Sequence, residues 1–296
     1  MSEQPHSTRM KITEALNEAA ARLRAAGISD ARPDARALLS HTLARDHAFL
    51  VAHSEAEIAP DLLALFRARI ARRATGEPVQ YITGRQEFYG LDFEVSPAVL
   101  IPRPETELLV ETALELLRDV AGAPLLCDVG TGSGCIPVSL LHERKDAHAF
   151  GLDISTDALA VAARNAARHA VAARLTLRLS DCFEALAPSM PPFTLITSNP
   201  PYISARDLPQ LQREVREHEP LIALTPGDDG LALIRRLITD APRFLDAGGH
   251  LLLEIGCDQH EEIARLVDPD IWATFDIRRD LQGIPRTVVL GRHTRV

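Results

Sequence analysis

Leu125-Leu126-Cys127-Asp128-Val129-Gly130-Thr131-Gly132-Ser133-Gly134-Cys135-Ile136-Pro137 is the stretch whose reading decides the fold. Residues 125–129 read as a buried strand, 130–134 as a glycine-rich turn, and Cys135 onward as a helix. Pro137 falls within the first turn of that helix, where proline is tolerated. Glycines let the turn close tightly and let a ligand lie against bare backbone. The helix behind them aims free N–H groups, and the positive end of its dipole, at the turn. The spacing is G-x-G-x-G, not the dinucleotide-binding G-x-G-x-x-G. A merely structural tight turn is the competing reading, because glycine often only punctuates a chain.

Working outward, helical spacing covers 108–117 before this stretch, and 136–141, 158–169 and 231–244 after it. Strand-like runs recur at 149–152, 175–179, 193–197 and 250–255. Two late strands near 274–277 and 287–290 follow one another without a helix, which suits an antiparallel edge. Strands alternating with helices predict an α/β fold: a doubly wound, mostly parallel seven-stranded sheet.

Toward the N-terminus the pattern is helical only. Thr8 or Ser7 can cap a segment carrying Ile12, Leu16, Ala19, Ala20 and Leu23, which Gly27 stops. Pro33 suits the first turn of a second helix, with Ala37, Leu38, Leu39 and Leu43. Pro60 opens a third, with Leu62, Leu63, Phe66 and Ile70, closed by Gly76. Arg67, Arg69, Arg72 and Arg73 cluster toward its end, where cations suit the helix dipole better than they argue for a binding patch. Tyr81, Ile82, Phe88, Tyr89, Phe93 and Val95 are strand formers, and Gly90 marks a turn between Phe88-Tyr89 and Asp92-Phe93. The expected organisation is a small helical domain at 1–76, a β-hairpin connector at 77–101 and a catalytic domain at 102–296.

Composition sets bounds on function. The chain has 296 residues, 46% hydrophobic and 25% charged, ordinary for a soluble globular protein. No apolar run approaches the ~20 residues that span a bilayer. The opening MSEQPHSTRMK has no apolar core of a signal peptide, so a cytoplasmic protein without membrane contact is expected. Cys127, Cys135, Cys182 and Cys257 form no C-x-x-C pair and read as reduced, mostly buried thiols. His41, His47 and His53 recur every six residues, which fits no metal-ligand spacing, and no metal is expected. Net charge is −9, but residues 1–75 hold 11 Lys+Arg against 9 Asp+Glu, leaving 21 against 32 for the rest. A body this acidic repels a phosphate backbone, so direct nucleic-acid binding is not expected.

The candidate site residues collect at one edge. Asp153 ends the next strand, 25 residues after Asp128, where a carboxylate can accept both hydroxyls of a ribose. Asp181, in Ser180-Asp181-Cys182, follows the third strand and can meet an adenine amino group. Each alone is commoner as a turn or cap residue. Together with Gly130 and Asn199 they all fall at C-terminal strand ends, the edge where open parallel sheets bind ligands. Asn199-Pro200-Pro201-Tyr202 is the sharpest signal. Two prolines give rigid, extended backbone and remove two N–H donors. What remains is the Asn199 side-chain oxygen, the Pro200 carbonyl and the flat face of Tyr202: acceptors for a planar group bearing NH₂. Elsewhere in a fold the tetrapeptide would read as a proline-rich turn.

These residues carry a resemblance. D-x-G-x-G-S-G, the acidic Asp153 and N-P-P-Y are similar to class I S-adenosylmethionine-dependent methyltransferases that act on a planar nitrogen. PVQYITGRQEFYGLDFEVSPAVLIPRPETELLVE, with the helical N-terminal domain, resembles the peptide chain release factor N5-glutamine methyltransferases of the HemK/PrmC type. The likeness runs along essentially the whole chain, and the I-P-R-P-E-T-E segment at 101–107 makes it more specific than N-P-P-Y alone. The resemblance implies S-adenosyl-L-methionine as methyl donor, held by Asp128, Gly130, Thr131, Gly132, Ser133, Gly134, Asp153, Asp181, Cys182 and Asn199. It implies that Asn199, Pro200, Pro201 and Tyr202 bind the substrate glutamine, with Asn199, Pro200 and Tyr202 catalytic. The substrate it implies is the glutamine of the Gly-Gly-Gln motif in class-1 release factors, with the helical domain gripping that protein. Members often carry tryptophan where Cys182 stands; adenine stacking here is then either weaker or supplied by Phe183 or Leu152. A monomer is expected.

Such a site would let Asn199 and the Pro200 carbonyl accept both amide hydrogens, so that the nitrogen pyramidalises with its lone pair aimed at the methyl. Orientation and electrostatics supply the catalysis, with no titrating base. The nearest rival is an adenine-N6 nucleic-acid methyltransferase working on an extruded base. The acidic catalytic part and the lack of a target-recognition insertion weigh against it. A nicotinamide oxidoreductase fails on loop spacing, and a non-catalytic adaptor has no use for the donor-site groups.

Overall fold

The structure is a computed structural model that describes residues 10–294, so the cap expected at Ser7 or Thr8 lies outside the described residues. The chain divides into two units: residues 1–84 with 212–218, and residues 85–211 with 219–296.

The first unit is built on three amphipathic helices, α1 (Ile12–Ala25), α2 (Ala31–Leu43) and the short α3 (His47–Ala52), followed by the longer α4 (Pro60–Ala74). Leu23, Leu38, Leu39, Phe66 and Ile70 meet in one apolar core at helical spacing. Pro60 is the first residue of α4, as the preset φ of proline favours. The unit is not helical throughout. Met10–Lys11 (β1) pairs antiparallel with Glu57–Ile58 (β2), a bridge too short for any sequence period to reveal. Arg73 does not sit at a solvated helix end: it is buried, its guanidinium within 2.6 Å of both Asp34 and Glu214. A buried cation so paired is a bracing element, and removing one partner strands the charge. Tyr81 and Ile82 lie in a one-turn helix, α5 (Val79–Thr83), not in a strand. Pro78 opens that turn and Gly84, in the left-handed region at φ +73°, ends it, so capping overrides β-propensity.

The second unit begins with a hairpin, β3 (Arg85–Phe88) and β4 (Leu91–Glu94), turned at Tyr89 and Gly90, both with positive φ. That is the geometry of a two-residue hairpin turn matched to strand twist. Next come α6 (Glu107–Leu117), β5 (Leu125–Val129), α7 (Cys135–Glu143), β6 (His148–Asp153), α8 (Thr156–Arg168), β7 (Leu175–Leu179) and β8 (Phe193–Ser198). After α9 (Arg213–His218), which belongs to the first unit, follow α10 (Leu221–Leu224), α11 (Ala232–Asp240), β9 (Leu245–Glu254), α12 (His260–Leu266), β10 (Trp272–Arg279) and β11 (Pro285–Arg292). Helices α9, α10 and α12 fall where no helix is expected. All three are short, and none shows enough apolar repeats to stand out.

Seven strands form one sheet in the order β10-β11-β9-β8-β5-β6-β7, parallel except for the antiparallel β11 and β10. The expected doubly wound, mostly parallel sheet is therefore present. Successive residues serve opposite faces: Cys127 and Val129 join one core with Leu251 and Leu253, while Leu126 joins the other with Leu252. The strand order reverses direction at β5, between β6 and β8. The turns leaving β5 and β8 thus part and open a crevice, the position where open α/β sheets hold ligands.

Candidate active site

The crevice is a cavity of about 450 Å³, within the range of small-molecule sites, formed wholly by the second unit. Its floor is the turn after β5. Gly130 and Thr131 donate their N–H groups to the Leu152 carbonyl at 2.8 and 2.9 Å, fastening the turn to β6. Gly132 N–H donates to Asp153 Oδ2 at 2.8 Å, and Ser155 N–H to Oδ1 at 2.9 Å. Asp153 therefore stands at the end of β6 in a fixed pose, facing the cavity. Burial pushes its carboxyl up from the usual range, and those backbone N–H groups oppose the shift. Gly134, at φ +79°, caps α7; a Cβ there would lie 3.1 Å from that of Ala162. The turn is thus pressed against α8, which only glycine permits. From α8, Asn165 Nδ2 donates to the Ser133 carbonyl at 2.9 Å, while its Oδ1 accepts from Glu94 N–H at 2.7 Å.

Asp128 lies beneath this turn, 1% exposed. Its Oδ1 accepts from Thr197 at 2.8 Å, and the Thr131 hydroxyl also faces the carboxyl and favours its charged form. Burial pushes the Asp128 carboxyl up to about 7.

Asp181 pairs with Arg236 at 2.8 Å, and among the described residues Arg236 is the only Lys or Arg lining the cavity. Cys182 holds a left-handed backbone, φ +50°, secured by Ser180 Oγ donating to its carbonyl at 2.8 Å. Neither Phe183 nor Leu152 lines the cavity, which corrects both expectations for an adenine contact. Phe183 is buried with its ring stacked on Phe244 at 5.0 Å, and Leu152 is packed in the core. Ile154, Leu233 and Arg236 line the cavity instead.

The turn after β8 forms the lip. Ser198 Oγ donates to the Val129 carbonyl at 2.6 Å, joining the two diverging strands. Asn199 Nδ2 donates to Thr106 Oγ1 at 3.1 Å. Neither Asn199 Oδ1 nor the Pro200 carbonyl accepts a hydrogen bond among the described residues. Tyr202 turns away from the cavity: its hydroxyl donates to Glu254 Oε1 at 3.3 Å, and its carbonyl accepts from Gln259 Nε2 at 2.9 Å. Burial pushes the Glu254 carboxyl up to about 7, against the hydroxyls of Thr106 and Tyr202. Gly230, in the left-handed region, backs onto the Tyr202 carbonyl so closely that any Cβ would collide with it.

Of the residues singled out in the sequence, Gly130, Thr131, Gly132, Ser133, Asp153, Asp181, Cys182, Asn199 and Pro201 line one cavity. Asp128, Gly134, Pro200 and Tyr202 stand behind it as supports. Sequence reasoning missed Thr106, Gly230, Glu254 and Gln259. Glu254 alone offered a signal, an acidic residue at the C-terminal end of a strand on the ligand-binding edge. The 101–107 segment owes its pattern to the same site. Pro102 and Thr106 line the cavity, and Arg103 is clamped to the buried Glu219 at 2.5 Å. No cluster of three or more metal-ligating side chains occurs among the described residues, and no helix there is long and apolar enough to cross a membrane.

Two family models match the chain: a PrmC N-terminal domain over residues 14–84, and a methyltransferase small domain over residues 105–216. The release factor glutamine methyltransferase of Nitratidesulfovibrio vulgaris is 44% identical over 280 residues, covering 94% of each chain. That of Cereibacter sphaeroides is 46% identical over 94% of this chain and 98% of its own. Among solved structures the hMettl16 catalytic domain aligns with a TM-score of 0.54 at 15% identity, over 77% of this chain and 83% of that one, a likeness of fold alone.

Proposed function

The chain belongs to the release factor glutamine methyltransferase family, and from that premise we propose that it methylates the side-chain nitrogen, N5, of the glutamine in the Gly-Gly-Gln motif of class-1 peptide chain release factors. It is an S-adenosylmethionine-dependent protein-glutamine N-methyltransferase.

The cavity's donor set suits that methyl donor. Asp153 offers a carboxylate to ribose hydroxyls and Asp181 an acceptor toward adenine, with Asp128 buried behind the glycine turn that carries them. Among the described residues the cavity has one cationic side chain, Arg236, and that one is tied to Asp181, which suits a ligand without phosphate. When bound, S-adenosylmethionine supplies an electrophilic methyl on a sulfonium.

The protein's task is to make a poor nucleophile attack. A carboxamide nitrogen is unreactive because its lone pair is delocalised into the carbonyl. The Asn199 Oδ1 and the Pro200 carbonyl, both unengaged, accept the two amide hydrogens, one each. Held so, the nitrogen would pyramidalise with its lone pair toward the cavity; as the N–C bond formed, the donor would leave as its thioether and one amide proton would pass to solvent. Both acceptors are preset: Pro200 by its ring, Asn199 by Thr106. Pre-organised groups of this kind contribute through orientation and electrostatics, up to ~7–11 kcal/mol in favourable models for orientation. The observation that carries the reading is the unengaged Asn199 Oδ1 on the cavity lining, with the unengaged Pro200 carbonyl next to it in the chain.

The adenine-methylating alternative would use the same lip on a base. The relatives' glutamine methyltransferase activity and the acidic balance of residues 76–296 favour protein. Incubating the protein with isotope-labelled donor and either a class-1 release factor or an oligonucleotide, then mapping the label by mass spectrometry, separates the two. Label on the Gly-Gly-Gln glutamine is expected; label on the oligonucleotide alone contradicts the proposal.

A further inference from the structure

An asparagine amide has two ends, and which end faces the cavity decides whether the lip accepts hydrogen bonds or donates them. Asn199 Nδ2 is spent on Thr106 Oγ1 at 3.1 Å, which leaves Oδ1 for the cavity. The Thr106 hydroxyl owns a single proton. While it accepts from Asn199, that proton must go elsewhere, and the carboxyl beside it is Glu254. Glu254 ends β9, is 2% exposed, accepts from Tyr202 on Oε1 at 3.3 Å, and keeps an Oε2 that has no partner among the described residues. The chain of groups therefore has a direction set from its buried end.

We propose that Glu254 is a positioning residue: as an acceptor-only carboxylate it draws the hydroxyl protons of Thr106 and Tyr202, and so holds Asn199 with Oδ1 toward the substrate. The proposal rests on the reading of the lip given above. With a proton, Glu254 becomes a donor to Thr106. Thr106 then donates onward, the Asn199 oxygen turns to meet it, and Nδ2 faces the cavity, donor against donor.

Such a device makes transfer depend on the charge of Glu254, which burial raises to about 7. The titratable groups around it are Glu105, which raises it further, Arg286, which lowers it, and Tyr202 and Cys135, which respond to it. Arg286 is itself tied to Asp280 at 3.0 Å. Thr287, opposite Glu254 on β11, brings a buried hydroxyl with no partner among the described residues and no charge.

The test compares kcat across about pH 5.5–9 for the wild type and Glu254→Gln at saturating donor, with donor affinity by calorimetry. The wild type rises through about pH 7. Glu254→Gln loses that rise and about tenfold or more in kcat, with donor affinity within about twofold. Thr106→Ser recovers most of what Thr106→Val loses, and this pair decides the matter should Glu254→Gln fail to fold. Wild-type kcat and pH profile in Glu254→Gln, or no loss in Thr106→Val, overturns the proposal. Carbon NMR of labelled glutamate carboxyls reads Glu254 without substrate: a midpoint that coincides with the rise in kcat supports the device, and a carboxyl that stays protonated across the whole range overturns it, whether or not glutamine transfer is observed.

Discussion

At the scale of single residues, the site works by denying freedom to side chains that would be mobile on a surface. Asp153 is the plainest case, since each carboxylate oxygen already holds a backbone N–H and so neither can rotate away. A carboxylate fixed this way meets a diol with little further ordering. Asp153→Ala is expected to weaken donor binding by about tenfold to a hundredfold, the worth of a charged hydrogen-bond pair. Calorimetry reads it directly, and unchanged affinity would reject the ribose role. The residues that touch the cavity were mostly legible in the sequence, because strand ends and glycine turns announce themselves. Those behind it were not. Thr106 and Glu254 are 148 residues apart, and no local pattern marks two polar side chains that meet only when the sheet assembles. Tyr202 was legible as part of the lip but not in its direction, which Glu254 and Gln259 decide from elements far along the chain.

At the scale of elements, the turn after β5 keeps its shape because α8 and the β3–β4 hairpin hold it. Asn165, wholly buried, bonds Ser133 on one side and both backbone groups of Glu94 on the other. Asn165→Ala would strand several buried backbone groups at once, and is expected to destabilise the protein by about 2–4 kcal/mol. Urea unfolding checks this; a loss below about 0.5 kcal/mol would show that the latch is dispensable. Long elements were readable because burial on a helix stripe or a sheet face imposes a period. The sheet's strands follow that rule, down to residues 175–179, where expected and observed ends coincide. Short elements escape it: α5 is set by Pro78 and Gly84 against the preference of Tyr81 and Ile82, and β1 and β2 are two residues each.

At the scale of the whole molecule, charge and burial act together. The chain carries a net −9 yet buries two carboxyl groups at its site, Asp128 and Glu254, both raised to about 7. Unfolding releases them to their ordinary range. Between about pH 4 and 7 the folded state then holds more protons than the unfolded, so stability contributed by these groups falls as pH rises. Each pKa unit is worth about 1.4 kcal/mol. Asp128→Asn removes one of the two, so the ligand-free variant gains on the wild type by a few kcal/mol between about pH 5 and 8. Parallel denaturation curves test the sign, and a gap that stays constant or shrinks with pH contradicts it. Both lie behind the crevice where the strand order reverses, the kind of place where perturbed groups gather around a functional site.

The central claim is that a rigid pair of acceptors makes a side-chain amide attack carbon. Asn199→Ala measures it most directly, with single-turnover transfer to a release factor read beside donor affinity. Transfer is expected to fall by at least about a hundredfold with donor affinity nearly intact. Transfer at the wild-type rate would contradict the account.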